Sequence, residues 1–349
     1  MIDLRSDTVT RPTDEMRMAM RDADVGDDIM GDDYTTKRLE AEAASIFGFD
    51  AALFVPTGTM GNMVSAMSHC QGATFPEMIV GHKQHTYMYE VGNMARIGGI
   101  HSWVLKNQPD GTLDLEEIES AIREKDQHYP TTKLISLENT HNSCGGVPLS
   151  AQYIDQVARI ANKHDIKLHI DGARIFNAAT YFDTPVSALC RNVDSVTFCL
   201  SKGLGAPAGS LVLGSRSFID NSRVVRKAMG GSMRQVGILA SAGLIAMNVM
   251  SKRLGDDHEM ASKLGRGLAA VEQLQIDPSR IKTNMFFMGV ADGKANDLVN
   301  VLRTDYKILV GAYGNEKIRI VTHHQVPGTS ASYIIDSIKG AVRQVFNKK

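Results

Sequence analysis

Six short runs along the chain are almost wholly apolar: AALFV (51–55), EMIVG (77–81), KLISLE (133–138), KLHID (167–171), SVTFC (195–199) and SLVLG (210–214). Runs of that length between turn residues read as buried strands. Between them apolar positions recur at helical spacing, as in Ser150 to His164 and Leu115 to Glu124. The second of these follows a Pro-Asp-Gly turn, with Asp114 placed as N-cap. Strands alternating with helices need crossover connections, so the pattern predicts an α/β fold with a mostly parallel sheet sandwiched by helices. The uncharged stretch Gln235 to Ser251 is diluted by Gln, Ser, Gly and Asn, and predicts a buried helix in place of a membrane span. Ligands of such sheets sit beyond the carboxyl ends of the strands, so the polar residues just after the apolar runs are the ones to weigh.

Composition narrows the partners. A net charge of −1 gives no electrostatic ground for a nucleic-acid partner or an anionic membrane surface. The four cysteines are dispersed without a C-x-x-C pair, which argues against a metal cluster and a secreted disulfide framework and for a cytoplasmic setting. The N-terminus, MIDLRSDTVT, carries charges where a signal peptide needs an apolar core. At 349 residues the chain is long enough for about two domains, although no Pro/Gly/Ser-rich linker divides it.

Three post-strand segments carry candidate chemistry. In VPTGTMGN (55–62), Gly58 gives a tight turn and a helix begins near Thr59, so backbone N–H groups, the Thr59 hydroxyl and the helix dipole converge as a phosphate cradle. In HIDGARIFNA (169–178), Asp171 ends a strand with Arg174 three residues on. The pair can be a helix cap with its salt-bridge partner, or the acid can serve a cationic ring nitrogen. In FCLSKGLGAPAG (198–209), Lys202 follows a strand and precedes small residues and glycines that let other atoms come close. A phosphate cradle, an aspartate for a pyridinium nitrogen and a lysine able to form a Schiff base are together the protein's share of a pyridoxal 5'-phosphate site. The dinucleotide and Walker spacings are both absent, which disfavours nucleotide binding.

The motifs DLRSDTVTRPTDEMR, VGDD, ALFVPTGTMGN, YEVG, LENTHN, HIDGARIFNA, FCLSKGLGAPAGS, GGSMRQVG and IRIVTH, in this order over nearly the whole chain, resemble the L-threonine aldolases among fold-type I pyridoxal-phosphate enzymes. The resemblance implies an aspartate-aminotransferase-like architecture: an arm (1–14), a large cofactor domain (15–250) and a small C-terminal α/β domain (251–349). It also implies retro-aldol cleavage of L-threonine or L-allo-threonine to glycine and acetaldehyde, by a homotetramer (a dimer of dimers) with active sites at subunit interfaces. Carried over residue by residue, Lys202 becomes the Schiff-base lysine and Asp171 the partner of the ring nitrogen. Gly58 and Thr59 hold the phosphate with Arg234 from a neighbouring subunit, and Asn142 approaches the ring hydroxyl. Ser6, Arg174 and Arg319 hold the substrate carboxylate, for which an arginine fork is well shaped.

His85 matches the histidine that stacks on the cofactor ring, and His128 a second active-site histidine, so either is the candidate base for the β-hydroxyl proton; Tyr89 supports one of them. His82 stands three residues from His85 without an acidic or cysteine partner in the sequence pattern, so no metal is expected. His323 and His324 read as strand-end residues. One departure stands out: relatives have an aromatic residue and a proline where MGDDY places Met30 and Tyr34. A β-eliminating lyase would share the same cradle, aspartate and lysine. Racemisation is a conceivable side activity of the same carbanion, and a non-catalytic binding subunit is disfavoured by Lys202, Asp171 and Arg319 occurring together.

Overall fold

The computed structural model describes residues 1–347. In chain order its strands are β1 (Ile2–Asp3), β2 (Ala51–Val55), β3 (Pro76–Gly81), β4 (His101–Leu105), β5 (Thr131–Glu138), β6 (Lys167–Asp171), β7 (Ser195–Cys199) and β8 (Ser210–Gly214), followed by β9 (Leu274–Gln275), β10 (Met285–Val290), β11 (Ile308–Leu309), β12 (Gly311–Tyr313) and β13 (Lys317–Val321). Seven form one sheet in the order β2-β8-β7-β6-β5-β3-β4. All its neighbours pair in parallel except β8, which runs against both β2 and β7. This is the mostly parallel sheet that the apolar runs predict.

One face of the sheet presents Phe54, Ile135, Leu137, Leu168, Ile170, Val196, Phe198, Leu211 and Leu213 to a single large apolar cluster. Each fully buried side chain of this kind contributes about 1.5–3 kcal/mol. Three helices recur below: α1 (Asp14–Arg21), α2 (Tyr34–Phe47) and α3 (Gly58–His69). The first two pack with the helix Gly237–Asn248, which falls inside the long uncharged stretch. Among the described residues no helix is long and apolar enough to cross a membrane. The opposite face lies under α3. Asp33 caps α2 by accepting from the Thr36 N–H at 2.8 Å, and Gly48 ends it with φ 76°.

The helix expected over Leu115 to Glu124 is shorter, Leu115–Ser120, because the chain turns where the Arg123 N–H donates to Thr132 Oγ1 at 3.1 Å. A second, antiparallel sheet of order β12-β13-β10-β9 packs its own apolar cluster against the helices Leu254–Leu268, Ala295–Thr304 and Ala331–Phe346. The N-terminal strand β1 pairs in parallel with β11, so residues 4–10 are led from there back toward the large sheet.

Candidate active site

The three segments singled out in the sequence meet at one edge of the large sheet. Registers place Val55 beside Ser210, Ser210 beside Cys199 and Asp171 beside Glu138, so the ends of β2, β7, β6 and β5 lie side by side. After β2, Thr57 caps α3 by accepting from the Met60 N–H at 3.1 Å, which leaves the N–H groups of Gly58 and Thr59 at the open N-terminus. A Cβ on Gly58 would come within 2.7 Å of Cys199 Sγ, so only glycine lets the turn sit this close to β7. The Ser210 Oγ beneath it is buried and has no hydrogen-bond partner. These groups can receive an anion.

After β7 the chain folds tightly, with the Leu200 N–H donating to the Gly209 carbonyl and the Gly205 N–H to the Lys202 carbonyl. The Lys202 carbonyl also accepts from Thr10 Oγ1 at 2.8 Å, so the arm and the lysine loop are pinned together. Gly209 has φ 101° and lies against the Phe54 ring, where a Cβ would come within 2.5 Å. Lys202 is half-buried, within electrostatic reach of Asp7 and His85.

Asp171 ends β6 almost fully buried. Its Oδ1 accepts from the Ala173 N–H at 3.1 Å and its Oδ2 from Asn62 Nδ2 at 2.9 Å. The same amide donates to Glu90 Oε1 at 2.9 Å, and Glu90 Oε1 also pairs with His85 Nδ1 at 2.9 Å. The hydrogen bond to Glu90 holds the His85 imidazole above its ordinary value against the opposing effect of burial, with the Asp171 carboxylate adding to it. Glu138 at the end of β5 accepts from the His85 N–H at 2.6 Å and the Asn142 N–H at 2.8 Å, stapling both residues to the sheet.

Arg174 does not pair with Asp171. It forks onto Asp7, Nε to Oδ2 and Nη2 to Oδ1, both at 2.7 Å and both buried. Burial alone would push the Asp7 carboxyl up, but Arg174, with Lys202 and Arg319 farther off, holds it well below the carboxylate range. Two of the Arg174 nitrogens are thus committed to the arm, which leaves Nη1 for any further partner. Arg319 is held by neutral partners instead of an acid: Nη1 donates to Asn142 Oδ1 at 2.8 Å and Nη2 to the Arg5 carbonyl at 3.0 Å, while Nε is buried without a partner. Ser6 caps the short turn Asp7–Val9 and accepts from Thr8 Oγ1 at 2.9 Å.

The structure does not bring every expected residue to this edge. His128 precedes β5, roughly 25 Å from Glu138 by the rise of a strand, exposed and paired with Asp126 at 2.6 Å. The strand's length separates it from the site of its own chain, so of the two candidate histidines only His85 stands at this edge. Arg234 stands on a surface loop paired with Asp27 at 2.9 Å. The Tyr89 ring lies 5.7 Å from that of His85 and lines, with Tyr313 and Ser143, a cleft of about 1230 Å³ that opens beside the site without reaching Lys202 or Asp171.

His82, grouped with His85 by spacing, accepts instead from the Asn107 N–H at 2.9 Å. His85 does have acidic neighbours, a point the sequence spacing missed: one donor atom each of His85, Glu90 and Asp171 lie within 4.8 Å of one another. Asn62 Nδ2 already donates into the middle of that set, where a cation would need lone pairs. Asp7, Asn62, Glu90 and Glu138 were not singled out from sequence, although each lies inside a motif quoted above.

A mostly parallel sheet with an anion cradle, a buried acid and a lysine along one edge is the layout of a fold-type I lyase. Residues 3–291 match the beta-eliminating lyase family. The chain is 46% identical over 346 residues to low-specificity L-threonine aldolase 1 of Arabidopsis thaliana, covering 98% of this chain and 96% of that one. It is 42% identical over 326 residues to the low specificity L-threonine aldolase of Escherichia coli O157:H7, covering 93% and 95%. The solved threonine aldolase of Leishmania major shares the fold, with a TM-score of 0.80 at 19% identity over 99% of this chain and 100% of that one. The chain belongs to the beta-eliminating lyase family and, within it, to the low-specificity L-threonine aldolases.

Proposed function

We propose that the protein cleaves L-threonine and L-allo-threonine to glycine and acetaldehyde with pyridoxal 5'-phosphate at the sheet edge. The observation that carries this reading is Lys202, Asp171 and the open N-terminus of α3 on neighbouring strand ends, facing an arginine whose Nε has no partner. The residues suit the group: the Gly58 turn and the unpartnered Ser210 hydroxyl suit its phosphate, Asp171 its ring nitrogen and Lys202 its aldehyde. When bound, pyridoxal phosphate supplies an electron sink for the carbanion left at the substrate Cα.

Asp171 would hold a proton at the ring nitrogen. Arg319 would take the substrate carboxylate and so fix the orientation of the Cα–Cβ bond. His85 commits Nδ1 to Glu90, so Nε2 is the atom open to take the β-hydroxyl proton as Cα–Cβ breaks. Lys202 Nζ accepts and returns the proton exchanged on substrate binding and glycine release. His128 and Arg234 can serve only from a second copy.

A homotetramer with shared sites is supported by apolar residues left exposed, among them Met30, Tyr34, Met88 and Val91. Met30 and Tyr34, the departures from relatives, are 72% and 71% exposed and so suit a subunit contact. The unit 15–250 and the unit 251–349 suit the separate seven-stranded and four-stranded sheets, with the arm 1–14 tied to the second unit through the β1–β11 pair. Four free thiols suit a cytoplasmic enzyme of threonine breakdown or glycine supply.

The test is acetaldehyde release from L-threonine, L-allo-threonine and D-threonine by purified protein with added pyridoxal phosphate. Release from both L isomers and none from the D isomer is expected. No release from any of them overturns the reading and moves the reaction to β-elimination on another β-substituted amino acid.

A further inference from the structure

The sheet face under α3 carries a file of polar side chains that the reaction above does not use. On α3, Asn62, Ser65 and His69 are three and four residues apart and share one side. His169 and Asp171 on β6, and Ser195 and Thr197 on β7, are two apart and point up at them. His69 Nε2 lies 2.6 Å from Ser195 Oγ, Ser195 Oγ lies 2.8 Å from His169 Nδ1, and His169 Nε2 lies 3.4 Å from Asn62 Oδ1. The file ends where Asn62 Nδ2 meets Asp171 and Glu90, and Asn62, His169 and Ser195 are all buried.

Its far end fixes every proton. Carboxylate oxygens only accept, so Asn62 turns its NH₂ to Asp171 and Glu90 and its carbonyl to His169. With that carbonyl as partner, His169 would carry its proton on Nε2, Nδ1 would accept the Ser195 hydroxyl proton, and the Ser195 oxygen would accept from His69. All donors point toward the two acids, and hydrogen bonds aligned in this way polarise one another. Burial pushes the His169 imidazole down to about 4 and His69 well below its ordinary value, so both rings are neutral, as this arrangement needs.

We propose that Asn62 and His169 are positioning residues: one amide, oriented by a neutral imidazole, clamps Asp171 and Glu90 and thereby sets both the acid offered to the cofactor ring and the tautomer of His85. This rests on the pyridoxal-phosphate reading of the site. Burying so many polar groups between a helix and a sheet is costly unless each is satisfied, and Asn62, His169, Ser195 and His69 all are. An amide link passes no proton by simple transfer, so the file orients and polarises and does not conduct.

Asn62→Leu keeps the volume and removes both donors; His169→Phe removes the orienting donor, and His169→Gln restores one. Losing a hydrogen bond to a charged group predicts a kcat lower by about 10- to 100-fold in Asn62→Leu, with a smaller change in KM. His169→Phe should fall less, and His169→Gln should recover most of that loss. The pH at which the bound cofactor's visible absorption changes should move in Asn62→Leu and stay in place in His169→Gln. Independently of any cofactor, nitrogen NMR of the apoprotein should find His169 neutral at neutral pH with its proton on Nε2, which decides the matter even if the leucine variant does not fold. A proton on Nδ1, a cationic His169, or a folded Asn62→Leu with wild-type kcat and spectrum overturns the clamp. Wild-type protein that neither binds pyridoxal phosphate nor releases acetaldehyde would sink the function reading instead, while the NMR result would still judge the clamp.

Discussion

Leu168 and Ile170 leave one face of β6 and His169 and Asp171 leave the other, and β7 repeats the alternation with Val196 and Phe198 against Ser195 and Thr197. The first face closes on one continuous apolar cluster that takes in both strands and helices of the opposite layer. The second is split into two small clusters, one around Met63, Met78, Val80 and Leu134 and one around Leu53, Val55, Val64 and Val212. The polar file runs between them. The comparison teaches that the strands can anchor the fold through one face while the other gives up apolar contact to hold a hydrogen-bonded support for the site. The largest effects on turnover and on stability should therefore separate by face.

The sharpest break lies where the polar face ends. Lys202→Ala should lower turnover by about 10⁴- to 10⁶-fold, as loss of a covalent catalytic group does, with little change in the denaturation midpoint. Assay of acetaldehyde release beside urea unfolding checks it; a variant that unfolds early would place Lys202 among the supports of the fold. On the apolar face the signs reverse. Phe198 stacks on Phe47 at 4.8 Å and meets Phe176 edge-on at 5.4 Å. Phe198→Ala should lose about 3–5 kcal/mol of unfolding free energy and keep near-wild-type kcat in the molecules that remain folded. A specific loss of kcat without a loss of stability would show that the two faces are not separable.

The same alternation sets what could be read from the chain beforehand. Six strands of the large sheet were legible because each carries an apolar face, and Gly58, Asp171 and Lys202 were legible because each follows such a run, whereas the part-exposed edge strand β4 and the short strands β9 and β12 of the second sheet gave no comparable run. The seam itself was written in His169-x-Asp171, Ser195-x-Thr197 and the spacing of Asn62, Ser65 and His69, yet a strand scored as apolar hides the polar half of its pattern. Contacts made by the returning arm were out of reach. Asp7 and Arg174 stand 167 residues apart, and nothing local in either segment tells which acid the arginine will meet. His82 follows β3 at the carboxyl edge, yet its ring turns to the Asn107 N–H, and His128 lies before β5 at the opposite end of that strand; neither placement is visible in the local sequence.

The smallest expected effect probes the join between the support and the chemistry. Glu90 lies at the end of the polar file and raises the His85 imidazole through their hydrogen bond. A histidine raised in the folded state contributes stability that is fully present below its unfolded value, about 6.5, and is lost as pH rises through its folded value. Glu90→Gln removes the charge and keeps the shape. The NMR titration of His85 should then move down in pH, and the stability gap between variant and wild type should be widest on the acid side of that range and close on the alkaline side. Should His85 titrate at the same pH in both proteins, the raised imidazole would belong to Asp171 and Glu90 would be a spacer. The polar seam would then reach the chemistry through the aspartate alone.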